Sequence, residues 1–336
     1  MTQIEPMINR LNQLPVKVGI VGTGYAAKRR AEALEQDQRS SLEWVTGNDP
    51  EHLASFCETY RTGAIATVQE LVTHPELDLI MICTINRDHG QITQAALEAG
   101  KHVVTEYPLA LSAAQAEDLI MLSQKRGKLL HVEHIELLGG LHQAIAQSLP
   151  AIGKVFYARY TTISPQRPVP RRWTYHKTMF GFPLSAALSR IHRFTDLFGQ
   201  VISVNCVNRY WDVPETDYFT ACLCNARLQF ANGLIADIVY GKGDIFWRSD
   251  RTFELQGEQG VLLFEGEKGS LIQDQSVIPI EVGSRRGLFA KDTQIVLDFL
   301  LEQTPLYITP EQSAYALKVA DAAYQSAQTG ETVFLV

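Results

Sequence analysis

The chain has 336 residues, 46% of them apolar and 20% charged, with a formal net charge of −7 at pH 7. That length suits two domains with proper cores, and the acidic balance argues against a nucleic-acid binder. No apolar run reaches the ~18 residues of a membrane span and the opening segment MTQIEPMINRLNQLP has no apolar signal region, so a cytoplasmic protein without membrane attachment is expected.

From residue 16 to about 130 strand and helix patterns alternate. VKVGIVGTG is an apolar strand ending in a glycine turn, and YAAKRRAEALEQ has helical spacing. SLEWVTGN, LDLIMICT, KHVVTE and KLLHVEHIE read as further strands, with helical segments between them. This alternation predicts a parallel sheet covered on both faces. After about residue 151 the runs KVFYARYTTIS, VISVNCVNRYW, DYFTACLCNARLQFA, GLIADIVYG, RTFELQGEQG and VLLFEGEKGSLIQ follow one another across short turns. Asn232-Gly233 and Glu258-Gln259-Gly260 are turn signals, so a large, mainly antiparallel sheet is expected. Helices near 290–303 and 310–328 close the chain. The division falls at residue 135: a domain over 1–135, and an α+β domain over 136–336 whose closing helices pack back on the first. Cys57, Cys83, Cys206, Cys222 and Cys224 are scattered. Cys222 and Cys224 share a strand face, but no second Cys/His pair adjoins them. Buried thiols in a reducing compartment fit better than a metal site.

Gly22-Thr23-Gly24-Tyr25-Ala26-Ala27 fits G-x-G-x-x-A. It follows a strand and opens a helix, the context in which the motif carries information. Gly22 permits the tight turn, Gly24 the approach of a pyrophosphate, and Ala27 close packing of helix on strand. The helix N-terminus then offers free N–H groups to phosphates. At the end of the second strand, where an NAD site carries Asp or Glu, the chain reads Gly47-Asn48. No carboxylate there repels a 2′-phosphate, Asn48 can donate to one, and Arg29 or Arg30 can add positive charge. NADPH is therefore expected, with NADH weaker. Asp49 reads as the N-cap of the next helix.

The stretches GIVGTGYAA and TINRDHGQITQAALEAGKHVVTEYPLALS, with the sheet domain after them, resemble the Gfo/Idh/MocA oxidoreductases over nearly the whole chain. The resemblance implies a Rossmann domain, a doubly wound parallel sheet, followed by an α+β domain whose sheet floors the substrate site. It places Thr84, Ile85, Asn86 and His89 in the loop beside the nicotinamide, with Ile85 replacing a proline. Sugar-oxidising members carry Glu-Lys-Pro where this chain has Glu106-Tyr107-Pro108. In PLSAALSRIHR, the residues Ala186, Leu188, Arg190 and Arg193 stand where those members carry Asp, Gly, His and Asp. A guanidinium stays protonated and is a poor general base, so carbinol oxidation is not expected.

KHVVTEYPLALS, KLLHVEHIELLGG and FGFPLSAALSRIHRFTDLFG further resemble a bilin-reducing branch of that family. That resemblance implies a linear tetrapyrrole, biliverdin, as substrate: a hydride goes to its central methine carbon and a proton to a pyrrole nitrogen, giving bilirubin. It also implies a monomer. The expected catalytic residues are Arg190, Glu106 and Tyr107, with Arg190 orienting the bilin and relaying a proton. Arg193 shares its helix face at i, i+3. Arg171 and Arg172 suit the propionates, and Lys242 and Trp247 are assigned to the pocket rim. His131 and His134 complete the substrate set. On a strand His131, Glu133 and Ile135 face one way and His134 and Glu136 the other, so at most one face lines a pocket. Glu106, His131, Glu133, His134 and Glu136 form an alternative acid set. The coenzyme residues expected are Gly22, Thr23, Gly24, Tyr25, Ala26, Arg29, Asn48, Thr84, Ile85, Asn86, His89 and Glu106. Two other readings stay open: a different conjugated or imine substrate, and an NADPH-binding sensor without catalysis.

Overall fold

The computed structural model describes residue 11 and residues 13–335. The chain forms two compact units, Met1–Ile135 with Gly287–Ala314, and Glu136–Arg286 with Tyr315–Val336. In the first, strands β1 (Val16–Val21), β2 (Ser40–Thr46), β3 (Gly63–Ala64), β4 (Leu79–Ile82), β5 (His102–Thr105) and β6 (Leu130–Val132) form one sheet. Its order is β3-β2-β1-β4-β5-β6 and every pairing is parallel. All four residues of β4, LIMI, are buried, as strands covered on both faces must be. Helices Tyr25–Glu35, Pro50–Tyr60, Val68–Thr73, His89–Glu98 and Ala113–Arg126 make the crossovers. Asp49 and Ser112 cap two of them by accepting from the backbone N–H of His52 and Gln115. The helix Leu288–Glu302 also belongs here: Val296, Leu297, Leu300 and Leu301 share a core with Val16, Val18, Ile20 and Leu34. The strand order reverses between β1 and β4, and ligands of open α/β sheets bind outside the carboxyl ends at such a point.

The second unit holds β7 (Val155–Pro165), β8 (Val201–Asp212), β9 (Phe219–Phe230), β10 (Ile235–Gly243), β11 (Asp250–Gly257), β12 (Gly260–Glu265), β13 (Lys268–Gln273), β14 (Ser276–Ile280) and β15 (Val333–Phe334). They form a sheet ordered β14-β13-β12-β11-β7-β10-β9-β8-β15. β7 and β10 run parallel and the other pairs antiparallel. Gly233, with φ of 90°, makes the turn from β9 to β10 that the Asn-Gly signal predicts. The helix Ser189–Phe198 lies on one face of this sheet. The Phe194 ring stacks on Phe253 at 5.1 Å, and Tyr160 meets Phe253 edge-on at 5.0 Å. Each such buried aromatic contributes about 1.5–3 kcal/mol.

One expected strand ends early. KLLHVEHIE is strand only over Leu130–Val132, and Ile135–Leu137 is a 3-10 turn. The Glu133 N–H still reaches Thr105 O at 2.8 Å, but the Ile135 N–H is taken by the Glu133 carboxyl at 2.6 Å, which turns the chain. The two-faced alternation expected for His131 to Glu136 therefore does not apply, and both His131 and His134 are buried at 1% exposure.

Candidate active site

Gly22 has φ of 112°, and a Cβ there would lie 2.3 Å from Cys83 O, so only glycine fits. At Gly24 a Cβ would meet nothing within 4 Å, so its outer side is open. The helix Tyr25–Glu35 starts with no side-chain cap and no acid in its first turn. Its leading N–H groups and dipole are thus available to an anion, and this loop fits a dinucleotide pyrophosphate. Asn48 is exposed just beyond β2. Asp49 is committed to its cap, accepting from His52 N at 2.9 Å, and that bond holds its carboxyl below the usual range. Arg29 is exposed, pairs with Glu32 and lies 5.7 Å over the Tyr25 ring. Arg30 is fully buried and so is not a 2′-phosphate ligand. His89, expected beside the coenzyme, is 1% exposed. Its Nδ1 lies 2.8 Å from Pro108 O and its Nε2 3.2 Å from Thr84 O. It ties the loop after β4 to the loop after β5, and burial pushes its pKa down.

Arg30 organises the cluster at the carboxyl ends of β5 and β6. Its Nε and Nη2 donate to Glu106 Oε1 at 3.3 and 3.2 Å, and its Nη1 to Asp292 Oδ2 and, at 3.1 Å, to Thr293 Oγ1. Asp292 Oδ1 takes the Tyr307 hydroxyl at 2.7 Å and lies 2.9 Å from His131 Nε2. The Tyr307 oxygen accepts the His134 N–H at 3.0 Å. Burial alone would raise the Asp292 pKa, but Arg30, His131 and the Tyr307 bond outweigh it and hold the carboxyl below its usual range. Glu133 is 2% exposed and its Oε1 accepts the Ile135 N–H at 2.6 Å. Burial first, then the charges of Glu106 and Asp292, push its pKa well up against Arg30. Tyr107 stacks on His134, ring centroids 5.1 Å apart and planes at 10°, and His134 Nε2 lies 2.8 Å from Ser313 Oγ. The two histidines expected to touch substrate are thus engaged inside this unit: their neighbours offer more polar partners than the shortened strand exposes.

In the second unit Arg190 is half-buried on the Ser189–Phe198 helix. Its Nη1 donates to Ser189 Oγ at 2.9 Å and its Nε to Thr162 Oγ1 at 3.4 Å, and its guanidinium lies 5.6 Å from the centre of the Tyr240 ring. Arg193 shares the helix but not the exposure. At 1% it is sealed between Tyr160 and Glu136, because it lies on the buried side with Ile191 and Phe194. Burial lowers its pKa, and among the described residues its Nε and Nη1 have no hydrogen-bond partner. Lys242 is not a rim residue. Its ammonium donates to Thr174 O and sits 3.5 Å from the Phe180 ring centre and 4.7 Å from that of Tyr175. Trp247 is 87% exposed, with Arg167 4.0 Å over its ring. Arg171 and Arg172 are exposed, Arg171 lying 5.0 Å from the Tyr218 ring centre. Tyr160 and Phe219 are core, while Tyr240 lies under Arg190. All five cysteines are free.

Arg30, Asp292 and Tyr307 were not singled out in the sequence for this cluster. Two of them carry a signal. Arg30 falls on the apolar stripe Ala27, Ala31, Leu34, and Asp292 on the stripe Leu288, Val296, Leu300. A charge on a buried stripe needs a partner, and here each is the other's.

Two family models match the chain: "Oxidoreductase family, NAD-binding Rossmann fold" over residues 16–134, and "Oxidoreductase family, C-terminal alpha/beta domain" over 149–335. The chain belongs to the Gfo/Idh/MocA oxidoreductases. Among solved members, the biliverdin reductase from Synechocystis sp. PCC 6803, crystallised with biliverdin and NADP+, is similar at 56% identity and a TM-score of 0.92. The match covers 94% of this chain and 99% of that one. Human biliverdin reductase A is 26% identical over 291 residues, 85% of this chain and 86% of the human protein. The putative oxidoreductase yvaA from Bacillus subtilis shares the Gfo/Idh/MocA fold at a TM-score of 0.82 and 18% identity, over 97% of this chain and 100% of that one. Among the described residues no helix is long and apolar enough to cross a membrane.

Proposed function

We propose that this oxidoreductase reduces biliverdin to bilirubin with NADPH, in the cytoplasm. The similarity at 56% identity to the Synechocystis biliverdin reductase, over nearly the full length of both chains, carries the reading. Tyr107 and Arg190, standing where carbohydrate-oxidising relatives place a base, support it.

Bound NADPH supplies the hydride. The backbone around Gly22, Thr23, Gly24, Tyr25 and Ala26 holds the pyrophosphate. Asn48 and Arg29 take the 2′-phosphate, and Thr84, Ile85 and Asn86 border the nicotinamide. Tyr107 offers a ring face where a lysine would offer a base. Arg190, fixed by Ser189 and Thr162, keeps its charge and orients the pigment and the water that passes a proton. Arg171 and Arg172 pair with the propionates.

The test is direct. Purified protein, NADPH and biliverdin are mixed between about pH 5 and 8, the range in which histidine titrates, and the colour is followed from green to yellow. One NADPH consumed per bilirubin formed is expected. No colour change at any pH sinks the proposal, and binding of both ligands without NADPH oxidation favours a sensor.

A further inference from the structure

Residues two apart on a strand share a face, and the register of β7 with its two neighbours sets out a short row. Thr162 stands opposite Tyr240 on β10 and opposite Arg251 on β11. The face is the one that carries the helix Ser189–Phe198. Phe253, two residues from Arg251, stacks on Phe194 at 5.1 Å, and Thr162 Oγ1 accepts from Arg190 Nε at 3.4 Å. Side chains directly opposite in a ladder have Cβ atoms about 4.5–5.5 Å apart. Arg251 therefore stands beside the hydroxyl that holds Arg190. Arg193 lies one step along β7, 5.9 Å from the centre of the Tyr160 ring.

Three guanidiniums thus converge on this stretch of β7, and little negative charge answers them. Glu136 is shared between Arg193, at 3.4 Å, and Arg285. The acids of β11 face the other way: Asp250 takes the Thr252 hydroxyl at 2.6 Å, and Glu254 pairs with Arg159 at 2.7 Å. Among the described residues, Nε of Arg251 and Nε and Nη1 of Arg193 are buried without a hydrogen-bond partner. Buried charges are normally paired, so an anion would complete this face. We infer that Arg251 is a specificity residue whose guanidinium receives one carboxylate of the substrate, leaving the other to Arg171 and Arg172. The inference deepens the reductase reading above and rests on it.

The three arginines divide the work by exposure. Arg251 is half-buried, within reach of a ligand, and its planar fork matches a carboxylate through two parallel N–H···O bonds. Arg193, at 1% exposure, is sealed and adds its field without touching the ligand. Arg190 is tied to Ser189 and Thr162 and keeps its own task. Tyr240 closes the far end of the row, its ring centre 5.6 Å from the Arg190 guanidinium. It stands two strand spacings from Arg251, roughly 10 Å. A ring at one end of the row and a cation at the other suit a flat conjugated body with a carboxylate at its edge.

Arg251→Gln, assayed with biliverdin and with its dimethyl ester, tests this. The ester keeps the conjugated body and lacks both carboxylates. With the free acid, KM is expected to rise about 10- to 100-fold, the scale of a bond between charged partners, while kcat changes far less. With the ester, the variant and the wild type should have similar KM, and Arg251→Lys should recover part of the affinity for the acid. An unchanged KM for the acid overturns the inference. So does a rise of equal size for acid and ester, which would mean that the side chain acts only through the structure around it. A wild type that gives no colour change overturns the reductase reading, and equilibrium binding followed by pigment absorbance then decides the site alone. Weaker binding of the acid but not of the ester by Arg251→Gln supports it, and equal binding by both proteins sinks it.

Discussion

Arg30 in the first unit and the cations around Arg190 in the second answer burial in opposite ways. In the first, Arg30 meets carboxylates: Asp292 on one side and Glu106 on the other, with His131, Tyr307 and Thr293 filling the remaining bonds. In the second, the cations meet mostly neutral groups. Arg190 donates to two hydroxyls, Lys242 to a backbone carbonyl among aromatic rings, and Arg193 faces Glu136 at 3.4 Å with two of its nitrogens unbonded among the described residues. A network of paired charges and hydrogen bonds is rigid and costly to break. Cations held by hydroxyls and rings keep their field, which suits an anionic ligand such as a dicarboxylate pigment. Under the proposed function, the first cluster positions, whereas the second attracts and orients the pigment.

The strongest way to break this contrast is Arg190→Ala. Removing a charged donor aimed at the reacting centre costs about 10²–10³-fold in kcat, and that loss is expected here. NADPH affinity, measured by fluorescence titration, should hold, because the coenzyme loop lies in the first unit. Arg190→Lys should recover part of the rate at most, since an ammonium lacks the planar fork. Equal rates in wild type and Arg190→Ala would remove Arg190 from the site.

Asp292→Asn tests the other side. It leaves Arg30, fully buried, without its nearest carboxylate, and breaking a buried pair costs about 3–5 kcal/mol. Urea unfolding at neutral pH should show that loss. The Asp292 carboxyl is held below its usual range in the folded protein, so the stability it adds is fully present above about pH 3.9, the ordinary aspartate value. It is lost as the pH falls from there through the lower folded value. The gap between wild type and variant should therefore close in acid, and a gap independent of pH would mean that the pair is not what the substitution breaks.

The sequence made the architecture legible where pattern and chemistry agree. Strand–helix alternation, the Gly22/Gly24 turn, the Asp49 cap and the Asn232-Gly233 hairpin each rest on local backbone physics, and the structure contains each. Burial was harder to read. The extended strand expected over His131 to Glu136 put His131 and His134 on opposite faces, at most one of them lining a pocket, but a side chain of that very segment, Glu133, ends the strand by bonding Ile135 N, and both histidines are buried. Lys242 sits on β10 with nothing nearby in sequence to show that Thr174 and Phe180 would close over it. Arg193 matched Arg190 in spacing, yet i, i+3 fixes only direction along a helix and not the depth at which it packs. A local side-chain bond decided the first case and non-local partners the other two.

Lys242 offers the smallest and most specific test. Burial, helped by the charge of Arg172 and opposed by Cys222, pushes its pKa down to about 8, whereas an unfolded chain keeps lysine near 10.4. Below pH 8 both states are charged and the folded one bears the whole cost of the buried ammonium. Between about 8 and 10.4 the unfolded state binds more protons, so this group makes stability rise with pH. Lys242→Met removes the titration and keeps an apolar stem against the rings. The bond to Thr174 and the cation–π contacts, about 2 kcal/mol each when buried, are lost together with that cost. The pH-dependent rise should disappear. Thr174 adjoins the segment bearing Arg171 and Arg172, so KM for the pigment should increase a few-fold with kcat nearly constant. A fall in kcat instead would put Lys242 in the reaction itself, and the division between attracting and orienting residues in the second unit would have to be redrawn around it.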